Sequence, residues 1–297
     1  MAETVRSAWL DPSRPQLVPS DVEFTLFATL IEREAGIHLS PAKKALLAGR
    51  LAARLRGLGM TSFGAYYRHV LHDDAEELVQ LIDAVCTNET HFFREPHHFQ
   101  LIAQELAPRW RTQAQEGRRA RRVRVWSAGC STGEEPYSLA MQLRASLPES
   151  EGWQLEVFAS DLSTRVLARA QAAVYPVERI RDVPLEQRRR AFLRGTGPQL
   201  GKVKVVPELR QLVRFERLNL SAPSYPVPAG LDLVLCRNVL IYFRPELRRR
   251  VIAQLCAHLA PGGHLFLGHA ESLQPSGLPL RTRMPTVYER VVAEPSP

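Results

Sequence analysis

Residues 122–141 read RVRVWSAGCSTGEEPYSLAM, and after a short helical gap residues 155–161 read LEVFASD. Val123, Val125 and Trp126 form a brief apolar run rich in β-formers. Ser127 to Gly133 is a turn of small residues, and Glu134 to Leu147 has a helical pattern. Strand, tight turn, helix and strand in that order predict a βαβ unit of a parallel sheet. Gly129 and Gly133 are free to take positive φ, so a ligand is expected to approach bare backbone there, and the turn is expected to present unpaired N–H groups at the helix start. Asp161 closes the second apolar run, the place from which an acidic side chain accepts hydrogen bonds from ribose hydroxyls. These features describe a nucleoside site.

The dinucleotide fingerprint G-x-G-x-x-G is absent, and Glu134 and Glu135 stand where a pyrophosphate needs donors. Two carboxylates there repel phosphate and tolerate a cation. S-adenosylmethionine fits that chemistry, since it joins an adenosine to a sulfonium and an ammonium and carries no phosphate. Two further stretches bracket the unit: TNETHFFREPHHF at 87–99, with polar Asn88, Thr90 and Arg94 among phenylalanines expected in the core, and CRNVLIYF at 236–243.

With WSAGCSTGEEPYSLAM at 126–141, these motifs resemble, in order, the chemotaxis receptor methyltransferase family, the glutamate O-methyltransferases usually called CheR. The resemblance runs from about residue 21 to 291. It implies a doubly wound, Rossmann-like α/β methyltransferase domain over 122–291, with a small antiparallel β-subdomain inserted at about 194–216. An all-α N-terminal domain over 21–104 and a basic linker over 105–121 precede it, with a flexible leader over 1–20 and a tail over 292–297. It also implies that Asn88, Thr90 and Arg94 contact the cofactor, with Arg94 near the reacting centre, that Glu135 holds the cofactor's cationic end, and that Asn219 and Leu220 lie against adenine. Arg237 and Asn238 supply the remaining contacts, and Tyr242 lines the methyl-transfer channel. The implied reaction carries a methyl group from S-adenosylmethionine to a receptor glutamate, with S-adenosylhomocysteine as product.

The rest of the chain agrees with a large soluble protein. Of its 297 residues 45% are hydrophobic, enough for a substantial core. No apolar run approaches 18 residues and the N-terminus lacks a signal-peptide apolar stretch, so a cytoplasmic monomer, reaching the membrane only through its receptor, is expected. Cys86, Cys130, Cys236 and Cys256 lie far apart without a C-x-x-C pair and read as reduced, packed cysteines. A formal charge of +8 favours an acidic partner, which charge alone leaves open among nucleic acid, membrane and protein.

Ser40-Pro41 is expected to start a helix that runs to the glycines near residue 59, with Leu47, Leu51, Leu55 and Leu58 on one face and Lys43, Arg50 and Arg54 on a stripe beside it. That stripe is either a solvated face or, as the resemblance implies, a reader of an acidic helical receptor bundle. His91, His97 and His98 lack helical ligand spacing because Pro96 interrupts them, so no metal is expected. KVKVV and QLVRF are expected to pair in the antiparallel insertion, which in some members docks a short C-terminal receptor peptide. LDLVLCRN at 231–238 reads as a buried central strand whose polar end faces the site. Nucleic acid is not expected as a substrate, because CRNVLIYF replaces the Asn/Asp-Pro-Pro-aromatic motif of base-amino methylation. A non-catalytic scaffold retaining the fold is the other alternative.

Overall fold

The computed structural model describes residues 18–72, 75–273 and 277–291. Two compact units divide them: one takes the chain up to Glu34 and His38–Cys86, the other Ala35–Ile37 and the chain from Thr87 onward. The expected leader, apart from residues 18–20, and the expected tail lie outside the described residues.

The first unit is built from α1 (Asp21–Ala35), α2 (Lys44–Gly57), α3 (Phe63–His72) and α4 (Ala75–Val85). Ser20 and Glu23 form a capping box at α1: the Ser20 N–H donates to Glu23 Oε2 at 2.7 Å, and the Glu23 N–H donates to Ser20 Oγ at 3.2 Å. Phe24, Phe27, Leu30 and Ile31 then recur at helical spacing and are buried, as are Leu47, Leu51 and Leu55 of α2. Ser40 makes no side-chain cap; its carbonyl accepts the Lys43 N–H at 2.8 Å in a 3-10 turn, Pro41–Lys43, that precedes α2.

The basic stripe is mostly tied within this unit. Arg54 Nε donates to Glu77 Oε1 at 2.9 Å, and the same carboxylate, 4% exposed, accepts the Tyr66 hydroxyl at 2.7 Å. Arg50 donates to the Val85 carbonyl at the end of α4. Burial pushes the Glu77 carboxyl up, but the hydrogen bonds from Arg54 and Tyr66 outweigh it and hold it below the ordinary glutamate value. Lys43 is exposed. Arg54→Glu is therefore expected to set two carboxylates against each other and destabilise the unit by about 2 kcal/mol, discounted because Arg54 is partly exposed. Lys43→Glu is expected to stay within about 0.5 kcal/mol; denaturant midpoints of the two variants check both.

The second unit opens with α5 (Pro96–Leu101), a π turn (Ile102–Leu106) and α6 (Ala107–Gln115). Pro108 has no N–H to give the Gln104 carbonyl, which explains the widened turn. Ile102, Leu106 and Trp110, four residues apart, are buried. The stretch expected as a basic linker is thus largely a packed helix, and 87–104 belongs to this unit rather than to the helical domain. Next come β1 (Arg122–Ala128), α7 (Glu134–Ser146), β2 (Gln154–Asp161), α8 (Thr164–Ala172), β3 (Val174–Pro176), α9 (Leu185–Ala191), β4 (Phe192–Arg194), β5 (Lys202–Val205), α10 (Pro207–Arg210), β6 (Val213–Arg217), β7 (Leu231–Cys236), α11 (Pro245–His258), β8 (Leu259–Leu267), β9 (Leu280–Met284) and β10 (Val287–Arg290).

Seven strands form one sheet in the order β6-β2-β1-β7-β8-β10-β9, parallel through β8, with β10 antiparallel to both β8 and β9. Alternate residues cover its two faces: Val123, Val125, Leu233 and Leu235 enter one core with α7, while Trp126, Ala128, Val234 and Cys236 enter the other with α11. The expected doubly wound architecture is present.

The insertion differs from expectation. Its three-stranded antiparallel sheet has the order β3-β5-β4, so KVKV is the middle strand and the subdomain starts at Val174 rather than near 194. Val213–Arg217 instead joins the main sheet in parallel beside β2, pairing Val157 with Val213 and Asp161 with Arg217. The helical turn α10 lies between the two sheets' strands and redirects the chain, a step that strand patterning alone does not reveal. Among the described residues no helix is long and apolar enough to cross a membrane.

Candidate functional site

The strand order reverses direction between β1 and β7, and in open α/β sheets ligands bind beyond the strands' carboxyl ends at such a switch point. Around it stand the turn after β1, Asp161 at the end of β2, the segment Asn238–Tyr242 after β7, and Asn88–Glu95. Four of the non-glycine residues at positive φ belong to these segments: Phe93 (53°), Glu95 (57°), Ser131 (50°) and Asn238 (61°). Such conformations cost roughly 1–3 kcal/mol each and gather at functional sites.

The turn is built differently from the sequence expectation. Gly129 and Gly133 have φ of 87° and 95°, but a Cβ at Gly129 would lie 2.4 Å from Val239 Cγ2, and one at Gly133 would lie 2.8 Å from the Tyr175 hydroxyl. Protein fills the space that each glycine leaves. The N–H groups are also taken: Gly129 and Cys130 donate to the Ser160 carbonyl at 2.8 and 2.9 Å, Gly133 donates to Cys130 at 3.1 Å, and Ser131 donates to Asp161 Oδ2 at 2.8 Å. A phosphate would find these donors occupied, which supports the original exclusion by a different route.

The two acids are not bare charges either. Glu134 is 1% exposed, pairs with Arg179, and accepts the Thr132 hydroxyl at 2.6 Å. Glu135 accepts Ser127 Oγ at 2.6 Å and Arg237 Nε at 2.7 Å. Arg237, 2% exposed in its side chain, also donates to the Arg94 carbonyl at 2.6 Å, lies 3.5 Å from Glu95 Oε2, and sits over the Phe99 ring at 5.7 Å. Its guanidinium joins the 94–99 segment to α7 and β7.

The remaining expected residues are placed as follows. Asp161 Oδ1 accepts the Ser163 N–H at 3.0 Å and Oδ2 the Ser131 N–H, so both carboxylate oxygens are anchored by backbone. The Asn88 carbonyl accepts Ser131 Oγ at 3.0 Å, and the Thr90 carbonyl accepts Arg179 Nη2 at 2.6 Å. Arg94 donates from Nη1 to the Glu89 carbonyl at 3.0 Å, one of five guanidinium N–H groups. Asn219 Oδ1 accepts the Ser221 N–H and hydroxyl at 2.9 and 2.8 Å, and Leu220 is buried in the core on the α11 face. Tyr242 is half-buried beside that core, and Asn238 Oδ1 is buried with no hydrogen-bond partner among the described residues.

Sequence reasoning missed Arg179 and Glu95. Arg179 sits in a charged stretch without periodicity, and nothing in its surroundings signals a partner more than forty residues away. Glu95, His97 and His98 bring ligand-type atoms within 4.8 Å of one another despite the Pro96 that interrupts their helical spacing. Arg237 Nη1 lies 3.3 Å from His98 Nδ1 and so already supplies a cation at that point. Partial burial first, then Arg94, with Arg179 and Arg237 adding and Asp182 opposing, holds the His91 imidazole below its ordinary value. Three arginines, Arg94, Arg179 and Arg237, thus act on this segment.

Burial followed by the Arg237 charge pushes the His98 imidazole down to about 2, and burial pushes His264 down to about 4. Both are neutral in the fold and protonate near 6.5 once unfolded, so the unfolded chain binds more protons and stability falls as pH drops below about 6.5. The expected slope is about 1.4 kcal/mol per pH unit for each histidine, down to about pH 4 for His264. Denaturant unfolding from pH 7.5 to 5 checks it, with a shallower slope expected for His98→Gln.

Residues 88–285 match the family model described as the CheR methyltransferase SAM-binding domain, and residues 22–86 match the CheR all-alpha domain. The boundary between the two matches falls where the compact units divide. The chain is 42% identical over 256 residues to chemotaxis protein methyltransferase 2 of Pseudomonas aeruginosa, covering 86% of this chain and 88% of the relative. It is 40% identical over 275 residues to the chemotaxis protein methyltransferase of Escherichia coli, covering 92% of each. A relative of the same name from Borreliella burgdorferi is 31% identical, over 90% of this chain and 94% of its own. With both domains matched in order and relatives about 40% identical over most of the chain, the chain belongs to the CheR methyltransferase family.

Proposed function

We propose that the chain methylates chemoreceptors, transferring the methyl group of S-adenosylmethionine to the γ-carboxylate of receptor glutamates. The observation that carries this reading is Asp161, anchored by two backbone N–H groups at the end of β2, the place from which an acidic side chain meets a ribose diol. S-adenosylmethionine fits the residues around it. The occupied turn donors do not call for a phosphate, and the buried Asn238 Oδ1 lacks only a donor, of which the cofactor has several. When bound, the cofactor supplies an electrophilic methyl carbon to a carboxylate oxygen and keeps the sulfur electron pair, so that a methyl ester and a thioether result.

The protein's share is mainly placement. A glutamate with an ordinary value near 4.3 is ionised at neutral pH and needs no general base. Alignment of the reacting groups is worth roughly 7–11 kcal/mol when complete. In this reading Arg94 orients the substrate carboxylate with its remaining N–H groups, and Tyr242 shields the transfer path from water. Asp161 holds the ribose, Asn88, Thr90 and Asn238 complete the cofactor's polar contacts, and Asn219 and Leu220 border the adenine. Glu135, neutralised by Arg237, shapes the cationic end rather than balancing its charge.

Receptor recognition rests on the first unit, where Lys43 is the member of the basic stripe least tied to the protein. Docking of a receptor tail peptide at the three-stranded sheet is supported by its outer strand β4, where Leu193 is 53% exposed. A tail-peptide titration without saturation rejects that part.

Asp161→Ala is expected to weaken S-adenosylhomocysteine binding about tenfold or more, since it removes charged acceptors worth roughly 1.5–3 kcal/mol. Calorimetric titration reads the change, and unaltered affinity removes the ribose assignment. The reaction itself is tested by tritiated methyl transfer to receptor-containing membranes followed by release of base-labile methanol. Label that resists base, or no label at all, counts against the proposal.

A further inference from the structure

Glu271 follows β8, is 3% exposed, and appears in none of the sequence motifs. Its Oε2 accepts the N–H of Asn238 at 2.7 Å and that of Gly268 at 2.8 Å, while Oε1 accepts the N–H of Ile241 at 3.2 Å. One carboxylate thereby ties the segment after β7 to the segment after β8, at two neighbouring strand ends of the switch-point edge. Glu134, Glu135 and Glu95 are all met by arginine, but among the described residues every hydrogen bond that Glu271 accepts comes from backbone. A buried carboxylate held only by main-chain N–H groups fixes backbone position more than it neutralises charge.

The backbone it fixes is unusual. Asn238 sits at φ 61°, a left-handed conformation that asparagine tolerates better than most side chains. A Cβ at residue 268 would fall 2.7 Å from Asn238 Nδ2 and 2.8 Å from Asn238 N, so glycine is required there for the second loop to close on the asparagine. The side chain held in this way ends in Oδ1, buried and without a partner among the described residues. Buried acceptors are rarely left unfilled, and the donor that belongs here is a ligand's. Ile241, the other residue gripped from the same segment, immediately precedes Tyr242.

We propose that Glu271 is a positioning residue for methyl transfer: it holds the Asn238 and Ile241 N–H groups so that Asn238 Oδ1 is set to accept from S-adenosylmethionine. The inference rests on the cofactor reading above and deepens it. Glu271 acts through Asn238 and touches no reactant, so its removal matters only while the asparagine is present.

Calorimetric titrations of S-adenosylmethionine and S-adenosylhomocysteine into the full chain, as wild type, Glu271→Ala, Asn238→Ala and the double variant, test this. Glu271→Ala is expected to weaken both ligands about tenfold, and the double variant to bind no more weakly than Asn238→Ala alone. Glu271→Gln keeps one acceptor oxygen for the Asn238 and Gly268 N–H groups. Its expected loss is about fivefold, again absent beside Asn238→Ala, and it carries the cycle if the alanine variant does not fold. Losses that add in the double variant overturn the proposal, as does wild-type affinity accompanied only by a lower melting temperature. A loss confined to S-adenosylmethionine also overturns it, because the Glu271 charge would then act directly on the sulfonium. Failure of the wild type to bind either ligand removes the cofactor reading itself, whereas wild-type binding with additive losses removes this inference alone.

Discussion

Arg94→Ala is expected to lower kcat/KM for receptor methylation by about 10²-fold or more while leaving the protein folded. The side chain is partly exposed, and its one hydrogen bond within the protein goes to the Glu89 carbonyl at 3.0 Å, so the fold has little to lose. What disappears is a planar guanidinium with four further N–H donors, the group best suited to holding a carboxylate in a single orientation. Lysine at this position keeps the charge but not the fork, and Arg94→Lys is expected to recover only part of the loss. Single-turnover transfer with saturating cofactor separates chemistry from cofactor binding, and near-normal turnover in Arg94→Ala would remove its assignment.

The second large effect is on stability. Arg237→Met removes the guanidinium between buried Glu135 and Glu95 and leaves the Arg94 carbonyl without its donor. Breaking a buried pair from one side costs about 3–5 kcal/mol, because the abandoned carboxylate remains desolvated. For a unit of this size the melting temperature should fall roughly 6–20 °C. Adding Glu135→Gln to Arg237→Met should restore a substantial part, since the neutral amide has less charge to desolvate and can still accept the Ser127 hydroxyl. A shift of no more than a degree or two in the single variant would contradict the framework role of Arg237.

The strand, turn and helix from Arg122 onward, the acidic end of β2 and the buried β7 were all legible, because each follows from local periodicity and from residue types whose backbone preferences agree with the fold. The errors have a common cause. Val213–Arg217 has strand composition wherever it pairs, and parallel pairing with β2 is decided by the path through α10, which no short window contains. Trp110 lies among arginines and glutamines, so the Ile102, Leu106, Trp110 stripe was hidden by the polar residues around it. Glu134 and Glu135 stand out in the sequence, but their arginine partners lie 45 and 102 residues further along the chain, and an uncompensated pair was the only reading that spacing allowed. The glycines were recognised for their positive φ, yet the occupants of the space they leave, Val239 and Tyr175, come from distant segments.

The same pattern explains why the basic stripe changed meaning. Helical spacing places Lys43, Arg50 and Arg54 together, but spacing says nothing of Glu77 and the Val85 carbonyl, which take two of the three from the opposite helix. Charge reversal of all three at once would confound receptor recognition with unfolding, and Lys43→Glu alone is the cleaner probe of binding.

The central claim is that the edge of the sheet between β2 and β7 takes a sulfonium nucleoside and not a nucleoside phosphate. Separate calorimetric titrations of S-adenosylhomocysteine and ATP into the full chain test it most directly. One equivalent of S-adenosylhomocysteine bound saturably, with no saturable heat from ATP, is the expected result. Saturable ATP binding without S-adenosylhomocysteine binding would contradict it.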